Sequence, residues 1–247
     1  MVTQGKKHQK TEKIGKDDMK RCWLWASLAV LILVVSGAVM VFEQPRRMLI
    51  QIVSIYPISS VINSLQRISI PANDAACVKD LKKLNIDFKK QADFSEPQGC
   101  KVEHAVRLSR VGSITLDNSP LLTCSMATRL TEFVQDHLQP TAQVVLGAKI
   151  KRLKHIGTYN CRSMRQYSGV LSQHAFANAI DVSGFELTNG KTINVAKDWK
   201  VAGAKSKFLR RISSEACDTF RVAVSPDGDS NHWNHLHWDM GPWSSCR

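Results

Sequence analysis

Between positions 22 and 42 the chain reads CWLWASLAVLILVVSGAVMVF, 21 residues without a charge. A helix of about 20 apolar residues crosses the hydrocarbon of a bilayer, so this stretch predicts one N-terminal transmembrane helix. Seven cations precede it (Lys6, Lys7, Lys10, Lys13, Lys16, Lys20 and Arg21), against Glu12, Asp17 and Asp18. The positive-inside rule then places residues 1–21 in the cytoplasm as a basic tail, and everything beyond the span outside. The rival is a cleaved signal peptide. Ser36-Gly37-Ala38 imitates its cleavage site, but bulky Val39, Met40, Val41 and Phe42 follow, which favours an uncleaved signal-anchor over 22–42.

That topology decides how the cysteines are read. Cys22 opens the span. Cys77, Cys100, Cys124, Cys161, Cys217 and Cys246 are widely spread, with no CxxC pair to suggest a zinc ribbon. In an oxidising compartment they predict three disulfides. Cys77–Cys100, Cys124–Cys161 and Cys217–Cys246 close the shortest loops. The net charge is +13, from 34 Lys and Arg against 21 Asp and Glu. So large a surplus points to an anionic partner. The tail accounts for +4 and leaves +9 for the rest. With 43% apolar and 22% charged residues, the chain is neither wholly disordered nor a multi-span membrane protein.

Residues 43–76 read as a stalk. Ile58, Val61, Ile62 and Leu65 share a helical face there, as a short interfacial helix would. The remainder, 77–247, suits one compact domain of α+β type. A short helix is expected over 76–84 and strands over 87–90 and 103–108. Ser119-Pro120 resembles a cap and first-turn proline. It opens a helix with Leu122, Met126, Leu130, Phe133, Val134 and His137 at helical spacing, ending at Pro140. His137 is expected to be a surface or core histidine, not a ligand. A strand over 149–155 follows. Then 179–187 and 192–195 flank Asn189-Gly190 as a hairpin. A helix over 205–217 carries Phe208, Leu209, Ile212 and Ala216 on one side. A strand over 220–224, a turn-rich loop over 225–231 and a last strand over 235–239 close the chain.

The last strand carries the chemistry. His235, His237 and Asp239 alternate onto one face, while Leu236 and Trp238 turn to the core. Same-face neighbours lie about 7 Å apart, far for two ligands of one ion but suited to one ligand beside one catalytic or supporting imidazole. Six residues separate His174 from Asp181, which sits within apolar Ala179-Ile180-Asp181-Val182. A carboxylate there needs a partner or a metal to offset desolvation. One carboxylate and two imidazoles with a fourth position open is the pattern of catalytic zinc. The competing reading makes Asp181 a loop cap and His174 an ordinary histidine. Trp199, Trp233, Trp238 and Trp243 are expected to serve packing, not a stacking platform.

Ser172-x-His174-x-x-Ala177-x-Ala179-x-Asp181 resembles the SxHxxGxAxD signature of the D-alanyl-D-alanine carboxypeptidase and dipeptidase group of zinc peptidases. His232-x-x-His235-x-His237 resembles the HxxHxH end of the LAS group (lysostaphin, D-Ala-D-Ala metallopeptidases, hedgehog), above all the penicillin-insensitive murein endopeptidase. From Cys77 to Cys246 the chain is similar to the bacterial extensin-like C-terminal domain family. Tyr159-x-Cys161-Arg162, Phe208-Leu209-Arg210 and Ala216-Cys217-x-x-Phe220 also carry that likeness. It implies a LAS-type domain with a central antiparallel sheet and flanking helices. It also implies Zn2+ held by His174, Asp181 and His237, with His235 and His232 as catalytic neighbours. Ser172 and Arg162 become substrate-binding candidates, and Asp239 a carboxylate that orients His235 or His237. Two departures stand out. Ala177 replaces the signature glycine, and Asn234 occupies the place of the dipeptidases' general-base Glu. An amide cannot take a proton, so the base falls to His232 or His235. The implied function is hydrolysis of peptide bonds in peptidoglycan by metal-activated water, from the bacterial inner membrane through one span, with no nucleic acid involved. The alternative is a non-catalytic, zinc-stabilised module that binds cell wall or protein.

Overall fold

The computed structural model describes residues 74–247, and Leu28, Leu31 and Ile32 as helical. The tail, the expected span over 22–42 and all but the end of the stalk lie outside the described residues. Among the described residues no helix is long and apolar enough to cross a membrane.

The fold is mixed α+β around one large sheet. Its strands are β1 (Ile86–Lys90), β4 (Ala105–Val111), β5 (Ile114–Leu116), β6 (Leu121–Thr123), β7 (Ile150–Gly157), β8 (Ala179–Leu187), β9 (Thr192–Asn194), β10 (Val222–Val224), β11 (Leu236–Asp239) and β12 (Ser245–Cys246). The order is β1-β4-β5-β7-β8-β11-β10-β12, with β6 on β4 and β9 on β8. A small hairpin, β2 (Phe94–Ser95) with β3 (Lys101–Val102), stands apart. The resemblance implied an antiparallel sheet, and two pairs depart from it: β5 runs parallel to β7, and β10 to β12. Parallel neighbours need a long crossover. Between β5 and β7 it is supplied by β6 and two helices, α2 (Cys124–Phe133) and α3 (Gln139–Leu146). The other helices are α1 (Asp74–Leu81), α4 (Val195–Asp198) and α5 (Ala204–Thr219).

The Ser119-Pro120 expectation is corrected. Asn118 and Ser119 take left-handed backbone, with φ of 53° and 45°, and Leu121–Thr123 pairs with β4. All three residues of that strand are buried. The cap is Thr123, whose Oγ1 accepts from the Met126 N–H at 3.2 Å. Nor does the helix end at Pro140. A π-helical turn over Val134–Leu138, with the Gln139 N–H bonded to the Val134 carbonyl, lets the chain run on into α3. The wider turn puts Pro140 in the first turn of α3, where its missing N–H costs little. His137 stacks on Phe133.

The core lies between the sheet and the α2, α3 and α5 helices. Phe133, Phe220 and Trp238 meet there, with Trp238 fully buried and 4.9 Å and 5.1 Å from the other two rings. Burying Trp238 on one face of β11 turns His237 and Asp239 to the other. Trp199 is buried as well, and Trp233 and Trp243 are exposed.

The disulfides are Cys77–Cys124, Cys100–Cys161 and Cys217–Cys246. Only the third follows the shortest-loop pairing. The first ties α1 to the start of α2. The second ties the β2–β3 hairpin to the segment after β7. Tertiary neighbourhood decides both, and closing loops of 47 and 61 residues constrains the unfolded chain by about 4 kcal/mol each. Peptide mapping without reduction should recover these three pairs.

Gly184 of β8 faces β9 so closely that a Cβ would strike the Ile193 carbonyl oxygen. Gly184→Ala should therefore cost about 1–3 kcal/mol, seen as a lower urea midpoint with a matching loss of thermal stability.

Candidate metal centre

Sheet register builds half of the centre. In the antiparallel β8–β11 pair Asp181 lies directly opposite His237. The other half comes from a 3-10 turn, Gln173–Phe176, that precedes β8. Ser172 caps that turn, its Oγ accepting from the His174 N–H at 3.4 Å. Ala177 ends it in left-handed backbone with φ 53°. This is the position of the signature glycine, and the conformation explains the glycine. Here an alanine accepts the strain while its methyl packs among Val102, Ala105 and Leu121. Beneath the turn, Thr123 Oγ1 donates to Asn178 Oδ1, and Asn178 Nδ2 donates to Gln173 Oε1, both at 2.8 Å. The Met240 N–H donates to the Asn178 carbonyl, which joins the turn to the end of β11.

His174 Nε2, Asp181 Oδ1 and His237 Nδ1 converge. The pairs are 3.2 Å (His174 to Asp181), 3.3 Å (His174 to His237) and 2.8 Å (His237 to Asp181). Ligand atoms each about 2.0–2.1 Å from a tetrahedral zinc lie about 3.3 Å apart. His174 Nδ1 faces the Thr158 carbonyl at 3.3 Å. Both ring nitrogens thus face an oxygen acceptor, while a neutral imidazole carries a single N–H. A proton or a cation at Nε2 satisfies the second contact. On the far side His237 Nε2 donates to Asp239 Oδ2 at 2.9 Å, so Asp239 serves His237 and not His235. A carboxylate behind a ligating imidazole fixes its ring and raises its basicity. The donor set therefore fits a metal ion, and His174, Asp181 and His237 form the group able to hold one.

Electrostatics agree with an ion-accepting site. Burial opposes the Asp181 charge, but contacts with the His174 and His237 imidazoles outweigh it and hold its pKa well below the usual carboxylate range. Burial likewise opposes a charged His237, yet its bonds to Asp181 and Asp239 raise its pKa to about 10. His232 is pushed down to about 4, by burial and then by its histidine neighbours. Burial lowers His235 too. At neutral pH those two rings are uncharged.

His235 lies just before β11 begins, so it escapes strand spacing and brings Nε2 to 3.4 Å from Asp181 Oδ1. Its Nδ1–H donates to Asn234 Oδ1 at 2.8 Å, which leaves a lone pair on the Nε2 that faces the centre. Asn234 thus meets the ring at its side, without occupying the role of a base. His232 packs 5.0 Å from the His235 ring and 5.5 Å from the His237 ring. Trp233 between them is 62% exposed. Arg162 donates Nη1 to the Ser163 carbonyl at 3.2 Å, and its own carbonyl takes the Ser172 N–H. Ser172 acts through the backbone of His174. Spacing in the sequence could not reveal Thr158, which acts through its backbone carbonyl.

In the metal-free protein the raised pKa of His237 stabilises the fold below about pH 6.5, and that contribution fades as pH climbs towards about 10. A cation entering at Nδ1 must displace that proton. Zinc binding at pH 7 should release about one proton per ion and weaken as pH falls. Calorimetry in buffers of different ionisation enthalpy measures both.

The family model described as Extensin-like protein C-terminus matches residues 75–247. No curated protein and no solved structure matches the chain. The chain belongs to the extensin-like C-terminus family.

Proposed function

We propose that this member of the extensin-like C-terminus family is a membrane-anchored, zinc-dependent hydrolase of peptide (amide) bonds in peptidoglycan, with a domain of the LAS metallopeptidase type. One observation carries the reading: three lone-pair donors, His174 Nε2, Asp181 Oδ1 and His237 Nδ1, converge at close to the spacing of tetrahedral zinc ligands. When bound, zinc supplies a Lewis acid that lowers the pKa of water towards about 7 and polarises a carbonyl. His235 takes a proton from the attacking water at Nε2, because Asn234 holds the proton of Nδ1, and passes it to the leaving amine. His232, uncharged and beside it, donates a hydrogen bond to the developing oxyanion. Asp239 keeps His237 oriented. The anchor over 22–42 retains the domain outside the inner membrane, a location in which three disulfides persist.

A second reading, a zinc-stabilised module that binds cell wall or protein without turnover, is favoured by Asn234 in the place of the dipeptidases' Glu. Sacculi digested with zinc-loaded full-length protein, with and without a chelator, separate the two by mass spectrometry of released products. Chelator-sensitive cleavage supports the hydrolase. Wall binding without product selects the module.

His237→Ala should lose both zinc and activity. His235→Ala should keep zinc and lose about 100-fold or more in kcat. Metal analysis and turnover on the same samples test both.

A further inference from the structure

The segment 163–171 folds back on itself between two supports of His174. Ser163 and Leu171 form a bridge. The Met164 N–H donates to the Val170 carbonyl at 2.7 Å, and the Val170 N–H to the Tyr167 carbonyl at 3.2 Å. Just outside the bridge, Cys161 is bonded to Cys100 and Ser172 caps the His174 turn. The segment is pinned to the histidine loop. Arg165 Nη1 donates to Asn231 Oδ1, and Gln166 Nε2 to Asp229 Oδ2, both at 2.8 Å. Asn231 adjoins His232, whose ring is 5.5 Å from that of His237.

Arg165 is a surplus cation at this edge. The Asp229 carboxylate nearby is engaged by Gln166 and by the backbone and side-chain N–H groups of Asn231. Among the described residues no ion pair to Arg165 forms, although nine other Lys and Arg side chains have carboxylate partners. Arg165 is exposed. One hydrogen bond fixes the guanidinium and leaves most of its five N–H donors for a ligand. That planar fork matches a carboxylate. Arg162, expected from the sequence to clamp substrate, turns to its neighbour's carbonyl instead.

We propose that Arg165 binds a free carboxylate of the peptide substrate at the edge of the His174–Asp181–His237 centre. The assignment rests on the hydrolase reading for the nature of the substrate. It makes the site selective for anionic peptides, whose carboxylate is C-terminal or on a side chain near the scissile amide.

Equilibrium binding to zinc-loaded full-length protein tests it. The probes are synthetic D-alanyl-D-alanine peptides with a free C-terminal carboxylate, a free side-chain carboxylate, or either one converted to the carboxamide. Wild type should bind one carboxylate form about tenfold tighter than its carboxamide, and the responsive pair identifies which carboxylate is held. Arg165→Ala and Arg165→Gln should abolish that preference by weakening the carboxylate form alone. Arg165→Lys should retain part of it. Wild type indifferent to both amidations overturns the proposal, as does a preference that survives in either neutral variant. Turnover of the same peptides reads the other proposal. An Arg165-dependent preference without cleavage leaves the clamp and removes the hydrolase; cleavage without that dependence does the reverse.

Discussion

A carboxylate on an interior strand is the constraint around which this domain is arranged. Asp181 stands in β8 with buried Ile180 and Val182 on either side, where an unpaired charge would cost several kcal/mol. One of its oxygens is met by His237 and, at longer range, by His174 and His235. Each imidazole reaches that oxygen along a different route: across a strand pair, from a 3-10 turn, and from the residue just before β11. Losing His237 or His174 leaves that charge without its compensation.

Rigidity is supplied from outside the cluster. His174 is held at its other nitrogen by the Thr158 carbonyl, and the segment after Thr158 is tied to the β2–β3 hairpin. There Cys100–Cys161 is joined by the Tyr159 hydroxyl, which donates to Glu96 at 2.6 Å. The Phe94 ring meets Tyr159 edge-on. His237 is held by Asp239 and by the burial of Trp238 behind it. The rings of the group able to hold an ion are thus fixed in advance, which is the arrangement that favours a particular coordination over mere charge neutralisation.

Local periodicity made part of this legible in the sequence. The two-residue repeat of β11 put His237 and Asp239 opposite Trp238, and an aspartate within an apolar run marked Asp181 as needing a partner. Other features depend on neighbours far along the chain. Thr123 caps α2 only because Leu121 and Leu122 are drawn into the sheet by β4, which no local signal near Ser119-Pro120 announces. Cys100 meets Cys161 because the β2–β3 hairpin packs beside the end of β7, a proximity that sequence distance hides. The 7 Å spacing expected for His235 and His237 assumed a strand that had not yet begun. Ala177 is the converse case: an apparently mild departure from a glycine signature sits at a backbone angle that glycine tolerates far better.

The hairpin-like segment 163–171 has a further consequence. Its two ends are fixed by a disulfide on one side and a helical cap on the other, and its strands close on themselves at Ser163 and Leu171. The stretch between those points can change length or composition without moving a ligand. What the edge of the centre presents to a ligand can therefore be retuned separately from the centre itself, as a cassette on a fixed frame.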